Sequence, residues 1–194
     1  MIQFNFPTVI FYGADAIQDL PPVIKKKNIK KLLLITDPGL VEIGLAEKVL
    51  HTFKDEGIIM EIFDGVHSNP VEGDVTAGVN TYQSGEFDGL VALGGGSAMD
   101  VAKTIRFMAV HEPPLSQYDD AIGGDKKIIH TLPPMVAIPS TAGTGSEVGR
   151  SSVITLPETG LKTIFFHPSL MPDIAILDPT LTVGLPGHIT AATG

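Results

Sequence analysis

Short uninterrupted apolar runs alternate along this chain with stretches whose apolar residues recur at helical spacing. Val9–Tyr12, Lys31–Asp37, Ile58–Phe63, the Leu90–Leu93 run ending at Gly94, Met135–Ile138 and Ile174–Leu177 are runs of the kind that form buried strands. Between them, Leu45, Ala46, Val49, Leu50 and Phe53 fall on one helical face, and Gly57 stops that helix. Met99, Ala102, Ile105 and Met108 mark a second apolar face. Val71–Gly85 reads as a weaker helix, because Gly73 and Gly78 lower its propensity. The helical stretch after Gly13 is interrupted at Pro21–Pro22 and closed by Lys25–Lys27, where cations suit a helix C-terminus.

From Glu112 the texture changes, with Pro113, Pro114, Gly123, Gly124, Pro133 and Pro134 punctuating a long connection. Ser152–Leu156 and Thr163–His167 flank the turn Pro157–Gly160 and read as a hairpin. No helix is expected at Thr190–Gly194. Strands alternating with helices of this length imply an α/β fold, a mostly parallel Rossmann-like sheet covered on both faces, with a small β-hairpin region.

In such sheets a ligand lies beyond the carboxyl ends of the strands, and four features of the sequence fall there. Gly94, Gly95 and Gly96 join a strand to a helix, where free N–H groups and the helix dipole favour a phosphate. Ser97 is expected as the N-cap, Asp100 as its capping-box partner, and Lys103 as support for an anion. Asp37 ends a strand, placed to accept from ribose hydroxyls or simply to form an Asp-Pro-Gly turn. Asn69 precedes Pro70 in a loop and is open to either reading. The segment Pro139–Glu147, PSTAGTGSE, sets Ser140, Thr141 and Thr144 among small residues, a loop able to wrap a polar ligand.

Composition narrows the partners. With 43% apolar and 18% charged residues among 194, the chain can bury a sizeable core. A formal charge of −9 argues against nucleic acid. There is no cysteine, hence no disulfide and no thiolate metal site. Neither a signal-like start nor a membrane-spanning run is present, so a cytoplasmic protein is expected. The six histidines show no metal-ligand spacing and read as surface or loop residues. No G-x-S-x-G elbow or P-loop occurs.

FYGA, TDPG, NP, GGGS-x-x-D-x-x-K, PSTAGTGSE and LDP-x-LT-x-x-LP occur in that order. This series resembles the N-terminal portion of the iron-containing (group III) alcohol dehydrogenases, whose fold is dehydroquinate-synthase-like. The resemblance implies a dinucleotide-binding domain over 1–194 and a hydride transfer between NAD(P) and a small alcohol or aldehyde. By motif, Asp37 would meet the adenosine ribose and Gly95, Gly96 and Ser97 the pyrophosphate. Asn69, Asp100, Thr141 and Thr144 would line the cleft, and Ser151, Val153 and Lys162 would complete it. NAD is expected over NADP, because Asp37 would repel a 2′-phosphate. The resemblance places the Fe or Zn ligands in a helical C-terminal domain beyond Gly194, so this stretch alone is expected to be inactive. An apolar patch near Ile174–Ile189 would favour a homo-oligomer. A stand-alone NAD-binding module and a nucleotide-dependent kinase are the alternatives.

Overall fold

The computed structural model describes residues 7–54 and 56–193. Residues 1–6, 55 and 194, all inside the expected 1–194 domain, lie outside the described residues. The elements run β1 (Val9–Tyr12), α1 (Leu20–Lys26), β2 (Lys31–Ile35), α2 (Pro38–Glu42), α3 (Leu45–Phe53), β3 (Ile59–Phe63), α4 (Glu72–Ser84), β4 (Gly89–Gly94), α5 (Gly96–Met108), β5 (Met135–Pro139), β6 (Ser151–Thr155), β7 (Lys162–Phe166), β8 (Ile174–Leu177) and α6 (Gly187–Thr193). Six strands form one parallel sheet in the order β1-β8-β5-β4-β2-β3, and β6 and β7 pair antiparallel.

The uninterrupted apolar runs of β2, β4 and β5 follow from burial on both faces of this sheet. The edge strands β1 and β3, expected to be buried, instead leave Val9, Ile10, Tyr12 and Ile59 exposed, because each has a neighbour on one side only. Side chains alternate across a strand, so the runs of β2, β4 and β5 split between two cores. Leu32, Leu34, Val91, Leu93, Val136 and Ile138 pack with Leu20, Ile24, Ala46, Val49 and Phe53 on one side. Leu33, Ile35, Leu90, Ala92, Met135 and Ala137 pack on the other with α5 and with Ile154 and Phe165 of the hairpin.

Beyond β2 the chain moves outward to β3, then steps back past β2 to β4 and onward to β5. The direction of winding therefore reverses between β2 and β4. Their carboxyl ends open a crevice there, the usual ligand position in this architecture.

Several local expectations differ from what is observed. Pro21 and Pro22 lie in the first turn of α1, where their missing N–H groups would have no intrahelical partner anyway. The Asp-Pro-Gly segment opens the short helix α2, with Asp37 accepting from Leu40 N at 3.1 Å. A C-terminal helix, α6, is present where none was expected. The expected apolar patch is mostly interior: Ile174, Ala175, Ile176 and Leu181 are buried, and Val183 is the exposed large apolar residue of that stretch.

His111 is also more than a surface residue. Its Nδ1 donates to Phe107 O at 2.7 Å, while Nε2 accepts from Ile129 N and His130 N, which fixes the neutral tautomer. Burial pushes its pKa below 6.5, the neighbouring His130 and His167 push the same way, and the Phe107 carbonyl opposes them. A depressed histidine contributes stability above its unfolded pKa and loses it as pH falls through the folded one. Urea unfolding should therefore come earlier at pH 5 than at pH 7, with a smaller difference in His111→Gln. Parallel losses in the two proteins would remove His111 as the cause.

Candidate functional site

The crevice is built around the turn between β4 and α5. Gly94 sits at φ +147°, a backbone conformation open chiefly to glycine, and a methyl on it would press on Ala98 Cβ and lie 3.7 Å from Asp37 Oδ2. That proximity brings the end of β2 to the end of β4. A methyl on Gly95 would meet Thr141 Oγ1 at 3.1 Å. One on Gly96 would meet Thr144 Cγ2 at 3.4 Å and Ser146 Oγ at 3.7 Å. The hydroxyl-rich loop thus faces the glycines directly, held there by Ser140 N donating to Gly94 O at 2.9 Å.

Helix α5 begins earlier than the sequence suggests. Gly95, in extended conformation, is the N-cap, and its carbonyl accepts the first helical hydrogen bond from Met99 N. Ser97 is therefore inside the helix, not its cap. Its Oγ donates to Ser68 O at 2.9 Å, joining the loop that carries Asn69. Asp100 is likewise not a capping partner; it accepts from Val153 N at 3.2 Å, with Ser146 Oγ at 3.5 Å. No protein acceptor is found among the described residues for the N–H groups of Gly96, Ser97 and Ala98. Those three donors at the positive end of a helix dipole suit a phosphate.

Lys103 does not support the turn as expected. It is fully buried and donates to Gly149 O and Ser151 O, each at 2.9 Å. Ser151, Val153 and Lys162 all belong to the hairpin, where alternation puts their side chains on the face opposite the buried Ser152, Ile154, Thr163 and Phe165. Lys162 is exposed and pairs with Thr155, whose N–H donates to Pro70 O at 2.9 Å. Asn69, beside that contact, is exposed and makes no side-chain hydrogen bond among the described residues. The candidate residues therefore come from loops and elements that touch one another around the start of α5.

Sequence reasoning missed Ser146 and the carbonyls of Gly149 and Ser151. Ser146 lies inside the hydroxyl-rich segment itself; the two carbonyls follow just after it, and carbonyl groups leave no mark on composition. Among the described residues no three His, Asp or Glu side chains converge as a metal site. No helix there is long and apolar enough to cross a membrane.

A parallel sheet with its winding reversal at a glycine turn defines a doubly wound α/β protein of the Rossmann-like class. The profile of the family described as "Iron-containing alcohol dehydrogenase" matches residues 7–179, and the chain belongs to that family. It is 40% identical over 191 residues to a choline dehydrogenase of Bacillus subtilis, covering 98% of this chain and 47% of that protein. The crystal structure of a 1,3-propanediol oxidoreductase matches with TM-score 0.92 and 39% identity, over 100% of this chain and 50% of the other. A sulfoacetaldehyde reductase from Bifidobacterium kashiwanohense, solved in complex with NAD⁺, matches with TM-score 0.87 and 27% identity, again over 100% and 50%. The chain spans about half the length of the relatives it matches.

Proposed function

We propose that this chain is the cofactor-binding domain of an NAD-dependent alcohol dehydrogenase acting on a small alcohol or aldehyde. The observation that carries the reading is the cradle itself: three free N–H groups, glycines that leave room for a close approach, and the Thr141 and Thr144 hydroxyls facing them. Bound NAD(H) supplies the hydride chemistry. The residues of this chain bind and orient it. The N-terminal turn of α5 holds the pyrophosphate, Asp37 accepts from the adenosine ribose, and the segment 140–153 with the hairpin closes the other side against water. Relatives named for choline, 1,3-propanediol and sulfoacetaldehyde support an alcohol or aldehyde as the substrate class. The described residues offer no donor set that fits the iron of the family's name.

Cofactor choice tests the placement. A 2′-phosphate beside Asp37 would bring like charges together; at about 4 Å that costs roughly 1 kcal/mol in water and about 4 kcal/mol at an effective dielectric near 20. Pro38, Gly39 and Leu40 provide no compensating cation. NAD⁺ should bind at least about tenfold more tightly than NADP⁺ in calorimetric titration. Asp37→Gly should narrow that gap. It also removes the cap of α2, but glycine at an N-cap costs only a few tenths of a kcal/mol, so the variant should fold. Equal affinities in the wild type, or an unchanged gap in the variant, would take Asp37 out of the site.

A further inference from the structure

Lys103 and Asp100 present a puzzle that neither the core nor the glycine turn answers. Lys103 is fully buried in a helix whose neighbours are otherwise largely apolar. An apolar side chain would fill that space without the cost of desolvating an ammonium. What the ammonium does instead is specific: it grips two backbone carbonyls, Gly149 O in the loop before β6 and Ser151 O at its first residue. One turn earlier on the same face, Asp100 takes the N–H of Val153 and stands 3.5 Å from Ser146 Oγ. Beside them, the Thr104 and Ser152 hydroxyls sit 3.0 Å apart. Three consecutive polar positions of the inward face, 100, 103 and 104, thus fasten the stretch from Ser146 to Val153 to α5. That stretch carries Ser146, against Gly96, and the site candidates Ser151 and Val153.

We propose that Asp100 and Lys103 are positioning residues that hold the 145–153 segment as one wall of the cofactor cleft, so that NAD(H) affinity depends on both being ionised. The proposal rests on the reading of the crevice as an NAD(H) site. Neither side chain need touch the cofactor. Both act through backbone groups whose hydrogen bonds are strengthened by charge.

The ionised window is bounded on both sides. Burial pushes Lys103 down to about 8, against the pull of Asp100 and Glu147 and with a push from Arg106. Burial pushes Asp100 up to about 6, opposed by Lys103, by Val153 N and by Ser146. Effects on folding and on binding then have opposite signs. A lysine whose folded pKa lies below its unfolded value gains fold stability as it loses its proton, and an aspartate with a raised pKa gains it on protonation. Loss of either charge therefore relieves the fold while it loosens the wall. A purely structural pair would show no such split.

The test is NAD⁺ titration of the intact chain by calorimetry between pH 5.5 and 9, with urea unfolding at each pH. The expected profile has its tightest binding between about pH 6 and 8 and weakens about three- to tenfold on either side, without a matching fall in stability from these two groups. Lys103→Met should weaken binding about tenfold at pH 7 and abolish the alkaline limb, and Asp100→Asn should abolish the acid limb. Should Lys103→Met not fold, the wild-type profile and Asp100→Asn decide. A flat wild-type profile, or wild-type affinity in a folded Lys103→Met, overturns the role of the pair. Absence of NAD⁺ binding at every pH overturns the cofactor reading itself and the pair's role with it.

Discussion

Replacing Arg106 by methionine is expected to destabilise the chain by about 3–5 kcal/mol, the largest single effect of the substitutions considered. Arg106 lies on α5 with 4% of its surface exposed. Its guanidinium donates to Pro133 O, to Ser169 O at 3.0 Å, to Met171 O at 2.9 Å and to Asp173 Oδ2 at 2.7 Å. Asp173 Oδ2 also accepts from Met135 N at 2.8 Å, so one planar cation ties α5 to the segments that lead into β5 and β8. Methionine fills much of the volume but leaves three carbonyls and a carboxylate facing an apolar side chain. Buried acceptors without donors carry their full desolvation cost. Arg106→Lys should fall between, because one ammonium cannot reproduce the fork. Urea midpoints at constant m-value measure both. A loss below about 1 kcal/mol for methionine would mean that water replaces the guanidinium, as it could most readily at the partly exposed Asp173.

Gly96→Ala should separate binding from folding. The added methyl would stand 3.4 Å from Thr144 Cγ2, an ordinary contact, and alanine suits the first turn of a helix better than glycine. The melting temperature should therefore stay the same or rise. The methyl nevertheless occupies the space between the free N–H groups and the hydroxyl loop, where a pyrophosphate would lie. Forcing a ligand past a methyl in a closely fitted site costs about 1–3 kcal/mol, so NAD⁺ affinity should fall by about 5- to 150-fold. A variant with a wild-type dissociation constant would place the cofactor elsewhere.

The central strands were readable from the sequence because burial on both faces leaves a continuous apolar signal, as in Leu32–Ile35 and Leu90–Leu93. The edge strands β1 and β3 carry apolar runs that the fold leaves largely exposed. The hairpin was readable from its turn residues. The start of α5 was misplaced because glycine in an extended conformation can serve as an N-cap, so the serine signal two residues later was misleading. Helix α6 was missed for a different reason. Ile189, Thr190 and Thr193 are weak helix formers, so the stretch carries little local helical signal. The candidate site was legible where glycines and hydroxyls cluster. It was illegible at Lys103, because a charged residue in a helical pattern is ordinarily solvated, and only tertiary contact reveals that it binds carbonyls.

Strand β1 pairs with β8, and the two are also joined by Thr8 Oγ1 donating to Pro172 O, a separation of 164 residues in the chain. Asp178 reinforces the join by accepting from the N–H groups of Asp15 and Ile17. During synthesis at about 5–20 residues per second, β1 leaves the ribosome about 8–30 s before its partner exists. Through that interval Val9, Ile10 and Tyr12 belong to a strand with nothing to pair against. Strands β2, β3 and β4 can meet much sooner. The nascent chain therefore pairs β2, β3 and β4 before β1 can be paired, and β1 is where a holdase would be needed.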